Sequence, residues 1–373
     1  MFGTKRFGRN ISNVQREYNP GKPVMKKDVD SSSNLFNVSQ TNLTVHKRKP
    51  VKKAVLPQDK SKSYFGVFNE SNPIPSVDSF LDEPDVEPMC IDSDINLEPE
   101  HEDIDRFDTN DPQFVAEYIN DIMEFLKEKE SAVRISDNYC DKQKDIKPRQ
   151  RNQLIRWMAE VYVQLKLLSE TFFLSANIVD QILDNCLVSR KKLHLIGVTA
   201  LFIASKYEET WAPPLNDFRI CCDYAFTQQD ILRMEREILN RINFNLCIPA
   251  PIHFLRRYSK AGHSDGLTHT IAKFLAEMTC QYYTMLKFLP SEIAGACVLL
   301  ARQIRGGYAE LWDDTLRYYS GYDIDNLREC GTTLTALLHK EFSPDRQTCG
   351  IVRKYSEKKL LGVSVMVRNA LRN

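Results

Sequence analysis

No two cysteines of this chain stand in a Cys-x-x-Cys pair. Its ten cysteines are scattered, and the adjacent Cys221 and Cys222 are poorly placed to bridge to each other or to share a metal. Zinc-ribbon and zinc-finger spacings are therefore absent, and no metal or cofactor is expected. Enzyme signatures are missing too. There is no phosphate-cradling P-loop, no glycine-rich nucleotide turn, no His-Glu-x-x-His and no nucleophile elbow, and the histidines are scattered. Strand alternation and hairpin dipeptides are scarce, which argues against a β fold. The almost unbroken apolar run at 195–204 is far short of the roughly 20 residues that cross a bilayer, so no membrane span is expected. The opening residues, MFGTKRFGRN, lack the apolar stretch of a secretory signal. Reduced thiols, many of them core-filling, and a place in the cytoplasm or nucleus are the expectation.

Net charge is absent only in sum. Residues 1–60 carry 13 Lys and Arg against 4 Asp and Glu, whereas residues 61–110 carry 2 against 14. A basic arm followed by an acidic stretch marks an interaction or regulatory tail, and by itself does not imply nucleic-acid binding. Residues 1–106 are rich in Pro, Ser, Asn and charge, and read as a disordered tail. Within it, HKRKPVKK at 46–53 is a compact basic cluster of the kind nuclear import receptors bind, and also of the kind any solvated charge run shows.

What the chain does have is helical periodicity. Order begins near DPQFVAEYINDIMEFLKEKE, residues 111–130, with Asp111 as a cap and Pro112 in a first turn. Tyr118, Ile122 and Phe125 make one stripe there, which must pack on the chain's own core or on a partner. Helices are predicted at 150–165, 171–186, 191–209, 216–221, 227–242, 251–260, 268–281, 290–304, 308–319 and 323–341, an all-α pattern. A repeat runs at an offset of 97 residues: Ala204 matches Ala301, Ile203 matches Leu300, and Trp157 matches Phe254. Each half then holds about five helices around one apolar central helix.

Two charges are out of place in this pattern. Lys206 closes the apolar run and projects onto the side of Leu195, Thr199 and Phe202. Glu235 projects into the apolar face of a second helix, between Ile242 and Leu239. Such a carboxylate is costly unless paired. The two are both satisfied if they meet. Lys206 can also snorkel from its helix end, and Glu235 can turn to Arg233 or Arg236.

The ordered series Arg151, Trp157, Asp180, Leu195, Lys206 in ASKYEE and Glu235 in RMEREIL resembles the cyclin box. FLRRYSKA, LPSEIAGACVLLAR and LRYYSGY resemble a second box, and RKYSEKKLLGVS the closing segment, of B-type cyclins and the related A type. The likeness covers the chain from about residue 111 to its end. It implies two tandem five-helix boxes behind a flanking N-terminal helix. The predicted divisions are a tail at 1–106, the flanking helix and first box at 107–248, the second box at 249–345 and a C-terminal segment at 346–373.

The resemblance also implies a function: a non-catalytic regulatory subunit that binds and activates a cyclin-dependent kinase. In the family the box lysine and glutamate, here Lys206 and Glu235, hydrogen-bond to the kinase near its αC helix. Tyr118, Ile122, Phe125, Ile203, Tyr207, Leu239, Phe244 and Leu246 occupy further kinase-contact positions, while Arg151, Asp180 and Leu195 are structural box residues. A substrate-docking groove is expected from Gln150, Gln153, Leu154, Trp157, Glu160, Leu193 and His194. This chain departs from the family there: Gln150, Asn152 and Gln153 replace apolar or small residues, and Arg156 stands where Asp is usual. A weakened or retuned groove is expected for cationic Arg-x-Leu peptides. GRNISN at 8–13 resembles the tail of a destruction box read by a ubiquitin-ligase receptor, although its Arg-x-x-Leu core is not clean and no Lys-Glu-Asn triplet occurs. A cyclin-fold transcription initiation factor is the alternative. It is disfavoured by the missing ribbon cysteines and the nearly neutral core.

Overall fold

The structure, a computed structural model, describes residues 101–372. The basic cluster at 46–53 and the segment at 8–13 lie outside the described residues. Those described form fourteen α-helices, with two short 3-10 turns and no strand among them. A leading helix α1 (Ile119–Ala132) and a single turn α2 (Tyr139–Lys142) precede five helices: α3 (Pro148–Gln164), α4 (Ser169–Asn185), α5 (Leu193–Glu208), α6 (Leu215–Cys221) and α7 (Gln228–Arg241). A second set follows: α8 (Pro251–Ala261), α9 (Gly266–Thr279), α10 (Pro290–Arg305), α11 (Asp314–Ser320) and α12 (Ile324–Glu341). The chain closes with α13 (Gly350–Lys354) and α14 (Val363–Ala370). The offset of 97 residues carries α5 onto α10 at both ends and the start of α4 onto that of α9.

The central helices are buried because they offer no polar face. In α5, eleven residues from Leu193 to Ser205 are buried. Gly197 lets α3 come close: a Cβ there would lie 2.7 Å from Leu154 Cδ1. Gly295 does the same in α10, where a Cβ would stand 2.9 Å from Leu327 Cδ2 of α12. The far end of α5 is tied to the start of α4. Glu209 Oε1 accepts from the Leu168 N–H at 2.7 Å and the Thr171 hydroxyl at 2.5 Å, satisfying donors that a helix start leaves open.

Polar networks weld the two halves. Arg151 is fully buried, forks onto both oxygens of Asp180 at 2.9 and 2.6 Å, and donates to the Cys280 carbonyl of the second half at 2.6 Å. Glu277 of α9 accepts from Tyr162 and Ser169 in the first half and from Lys354 and Tyr355 in the closing segment. The described cysteines are free thiols, four of them buried.

Three sequence expectations change. Asp111 does not cap the leading helix. It accepts from the Gln113 N–H in a local turn, Val115 takes a left-handed φ of 52°, and the helix starts at Ile119. The tail boundary moves as well, because residues 102–106 belong to the folded body. Ile104 is buried, and Asp105 meets Arg257 and Lys260 at 2.6 Å each. Burial alone would raise the Asp105 carboxyl, but those two cations hold it below its ordinary value. Finally, the helix expected at 308–319 is confined to Asp314–Ser320. Gly306 and Gly307, at φ 68° and 85°, turn the chain out of α10, and Asp313 caps the new helix at the Leu316 N–H.

Candidate functional site

Lys206 and Glu235 meet. Their helices, α5 and α7, pack side by side, and the ammonium donates to Glu235 Oε1. Helix α7 owes its start to a capping box in which Thr227 accepts from the Asp230 N–H at 3.1 Å and Asp230 accepts from Thr227 in return. The pair is not the buried one that the apolar projections suggested. Glu235 is 9% exposed, but the lysine side chain is 44% exposed. The ammonium lies over the Phe202 ring, 4.3 Å from the ring centroid. Pairing and ring contact hold the cation in place and leave its outer side free.

Large apolar side chains stand unpacked at most of the other positions expected to contact a kinase. Tyr118, Ile122 and Phe125 are 40–54% exposed, whereas Met123 on another side of α1 is buried. Tyr207 and Phe244 are exposed, and Leu239 and Leu246 are half-buried. Ile203 is a correction. It is buried in the core, since α5 is enclosed on nearly every side, and its side chain presents no contact surface. Helix α1 is fixed from the opposite half. Lys127 donates to the Ser320 carbonyl at 3.1 Å, and buried Glu130 accepts from the Ser291 N–H and hydroxyl at 2.9 and 2.6 Å. Burial pushes the Glu130 carboxyl up, against those hydrogen bonds. Sequence reasoning missed the exposed Trp211 and Phe107; only Pro213 and Pro214 after Trp211 hinted that it lies outside a helix.

The groove residues divide by what holds them. Leu154 and Leu193 are buried. Trp157 is half-buried, its ring 4.5 Å from that of His194. Gln153 is exposed, and Gln150 caps its own helix by accepting from the Lys147 N–H at 3.0 Å. Leu195 is half-buried, its carbonyl accepting from Thr199 at 2.7 Å. Glu160 is already engaged, taking the Gly350 N–H at 2.7 Å and the Arg353 guanidinium. Arg156 is engaged as well, on Glu341 at 2.7 and 2.9 Å and on the Gln347 carbonyl. Nothing in the sequence spacing ties α3 to residues 341–353.

Among the described residues no group of His, Cys, Asp and Glu is placed to hold a metal, and no helix is long and apolar enough to cross a membrane. The family model "Cyclin, N-terminal domain" matches residues 121–247, and "Cyclin, C-terminal domain" matches residues 249–369. The chain is 37% identical to G2/mitotic-specific cyclin-B of Dictyostelium discoideum over 79% of its own length and 68% of that protein's. It is 36% identical to the protein of the same name in Marthasterias glacialis, over 89% and 87%. Cyclin-B2-4 of Arabidopsis thaliana is 34% identical over 86% and 77%. In fold it is similar to the crystal structure of a viral cyclin from herpesvirus saimiri, with a TM-score of 0.53 and 18% identity over 57% of this chain and 94% of that one.

Proposed function

This chain belongs to the cyclin family, to its B type, and from that premise we propose how its surface acts as the regulatory subunit of a cyclin-dependent Ser/Thr kinase in cell-cycle progression. The Lys206–Glu235 pair is the polar centre of the kinase contact, with Tyr118, Ile122, Phe125, Tyr207 and Phe244 as its apolar surroundings. The half-open ion pair carries this reading. The lysine is fixed by Glu235 and by the Phe202 ring, yet keeps N–H groups for an acceptor on another chain.

Activation then follows from selective binding. A kinase is competent only when its αC helix is seated, so that the Lys–Glu ion pair of the kinase and its metal site form. A rigid surface that fits only the seated form shifts the equilibrium by its differential affinity for the two forms. No catalytic group is required of the cyclin. A cyclin-fold transcription initiation factor is not favoured by these relatives.

Substrate choice is expected to depart from Arg-x-Leu docking. Glu160 is occupied by Arg353 and the Gly350 N–H, and Arg156 brings a cation where the resemblance implies Asp, so no free carboxylate is left for a basic peptide. We also assign the cluster at 46–53 to nuclear import, giving both nuclear and cytoplasmic residence, and the segment at 8–13 to a ubiquitin-ligase receptor. The primary test is affinity purification of the full chain from cells with a Ser/Thr kinase assay on the eluate. Co-purifying activity that rises with the amount of chain is expected; retention on DNA without kinase activity would overturn the reading.

A further inference from the structure

The closing segment is basic: residues 346–373 carry seven Lys and Arg and one acidic residue, Glu357. Three of its arginines, Arg346, Arg353 and Arg368, line one cleft of about 260 Å³ between the loop after α12 and helix α14. Among the described residues Arg368 makes neither an ion pair nor a side-chain hydrogen bond. Arg346 gives one nitrogen to Glu341 at 2.8 Å, and Arg353 gives one to the Thr348 carbonyl at 3.1 Å and another to Glu160. The hydroxyls of Ser343 and Thr348 also line the cleft and, among the described residues, have no hydrogen-bond partner.

Charge bookkeeping shows what would fit. One carboxylate lines the cleft, Glu341, and it is already met by Arg156, Arg346 and the Tyr282 hydroxyl at 2.8 Å. Three guanidiniums against one carboxylate leave a surplus of two positive charges. Arg156 and Glu160, which tie the cleft to α3, cancel each other. A phosphate monoester carries close to two negative charges at neutral pH, with three acceptor oxygens. The planar donor fork of arginine meets phosphate oxygens in pairs, and three acceptor oxygens can serve more than one guanidinium.

We infer that this cleft is an anion site for a phosphoserine or phosphothreonine on a partner polypeptide. Phe342, Val352 and Val365 supply apolar contacts for the peptide around the phosphate. Two residues that line the cleft, Glu341 and Arg353, are themselves bound to Arg156 and Glu160 of α3. A phosphorylated ligand is thus held next to the docking groove, which lacks a free carboxylate. A half-open cleft lined by three arginines suits one phosphate. An extended polyanion such as a nucleic acid binds along a stripe of charges instead.

The test uses the full-length chain alone, so its outcome does not depend on kinase activation. The probe is a fluorescein-labelled pool of ten-residue peptides with a central phosphoserine and mixed flanks, read by anisotropy. The same pool without phosphate, inorganic phosphate as competitor and a single-stranded oligonucleotide serve as comparators. The phosphorylated pool is expected to bind at least tenfold more tightly than the unphosphorylated one. Arg368→Ala is expected to weaken it at least fivefold, whereas Arg372→Ala, which removes the same charge outside the cleft, leaves it within twofold. Equal binding of the two pools, equal losses in both variants, or an oligonucleotide that binds more tightly and displaces the phosphopeptides would each overturn the assignment.

Discussion

At the scale of single residues, Lys206 and Arg151 show how differently two ion pairs work. The Arg151–Asp180 pair is sealed, with side chains 1% and 2% exposed, and is further satisfied by the Tyr139 hydroxyl and the Cys280 carbonyl. Removing one partner strands a buried charge, so Asp180→Ala is expected to cost about 3–5 kcal/mol in urea unfolding. A loss below about 1 kcal/mol would contradict that role. The Lys206–Glu235 pair is open on the lysine side only, and its carboxylate is largely buried. Lys206→Ala leaves that carboxylate without its cation, so it is expected to lower the unfolding midpoint, by less than Asp180→Ala does, while abolishing kinase stimulation. The sequence carried both members of this pair, because a charge on an apolar projection is visible in one dimension. It did not carry the openness of the pair. That depends on where the ammonium settles over the Phe202 ring at the helix end, a distance no residue spacing reports.

At the scale of elements, helix positions were legible where periodicity and proline agree, as in α8 and α10, which begin at Pro251 and Pro290. They were illegible where tertiary contacts set the boundary. Helix α1 starts late because the chain before it turns, Asp111 accepting from the Gln113 N–H and Val115 taking a left-handed φ. Two glycines test the packing. Alanine in a helix interior normally stabilises by up to about 1 kcal/mol relative to glycine. Gly197→Ala and Gly295→Ala place a Cβ against Leu154 and Leu327, and overpacking of this kind costs about 1–3 kcal/mol. Both variants are expected to melt lower than the parent by calorimetry. A higher melting temperature would show that the leucines move aside freely.

Helix α8 also carries a pH signal. His253 Nδ1 accepts from the Ala250 N–H at 3.1 Å, which requires the neutral ring. Burial first, then the nearby Arg256, holds this histidine below its ordinary 6.5, with Glu170 opposing. His269 is lowered in the same way, by burial and by Lys273 and Arg256. A depressed value means the unfolded chain takes up the proton first. The stabilisation is whole above 6.5 and is lost as pH falls through the folded value. Melting temperature is expected to fall on acidification from about pH 7.5 to 5.5. His253→Asn, which keeps an acceptor for the cap, is expected to flatten that fall; an unchanged profile would remove His253 from the account.

At the scale of the whole molecule, the two boxes behave as one body because buried polar groups cross between them. Arg151 reaches Cys280, and Glu277 gathers Tyr162, Lys354 and Tyr355. The repeat that announces the boxes was readable as a 97-residue offset, since burial writes the same apolar pattern twice. The closing segment's grip on α3 was not readable, because Glu160–Arg353 and Arg156–Glu341 join residues nearly 200 apart. A body joined in this way would present the proposed kinase contacts in fixed relation, as selective binding of one kinase conformation requires.

The most direct test separates a contact role for the central pair from a structural one: the rate of a cyclin-dependent kinase measured against the concentration of full-length chain carrying Lys206→Glu together with Glu235→Lys. This double change restores opposite charges between α5 and α7 but reverses what a partner meets. The parent is expected to stimulate the kinase, and the double variant, with helix content intact by circular dichroism, is expected to fail. Full stimulation by the folded double variant would contradict the central claim.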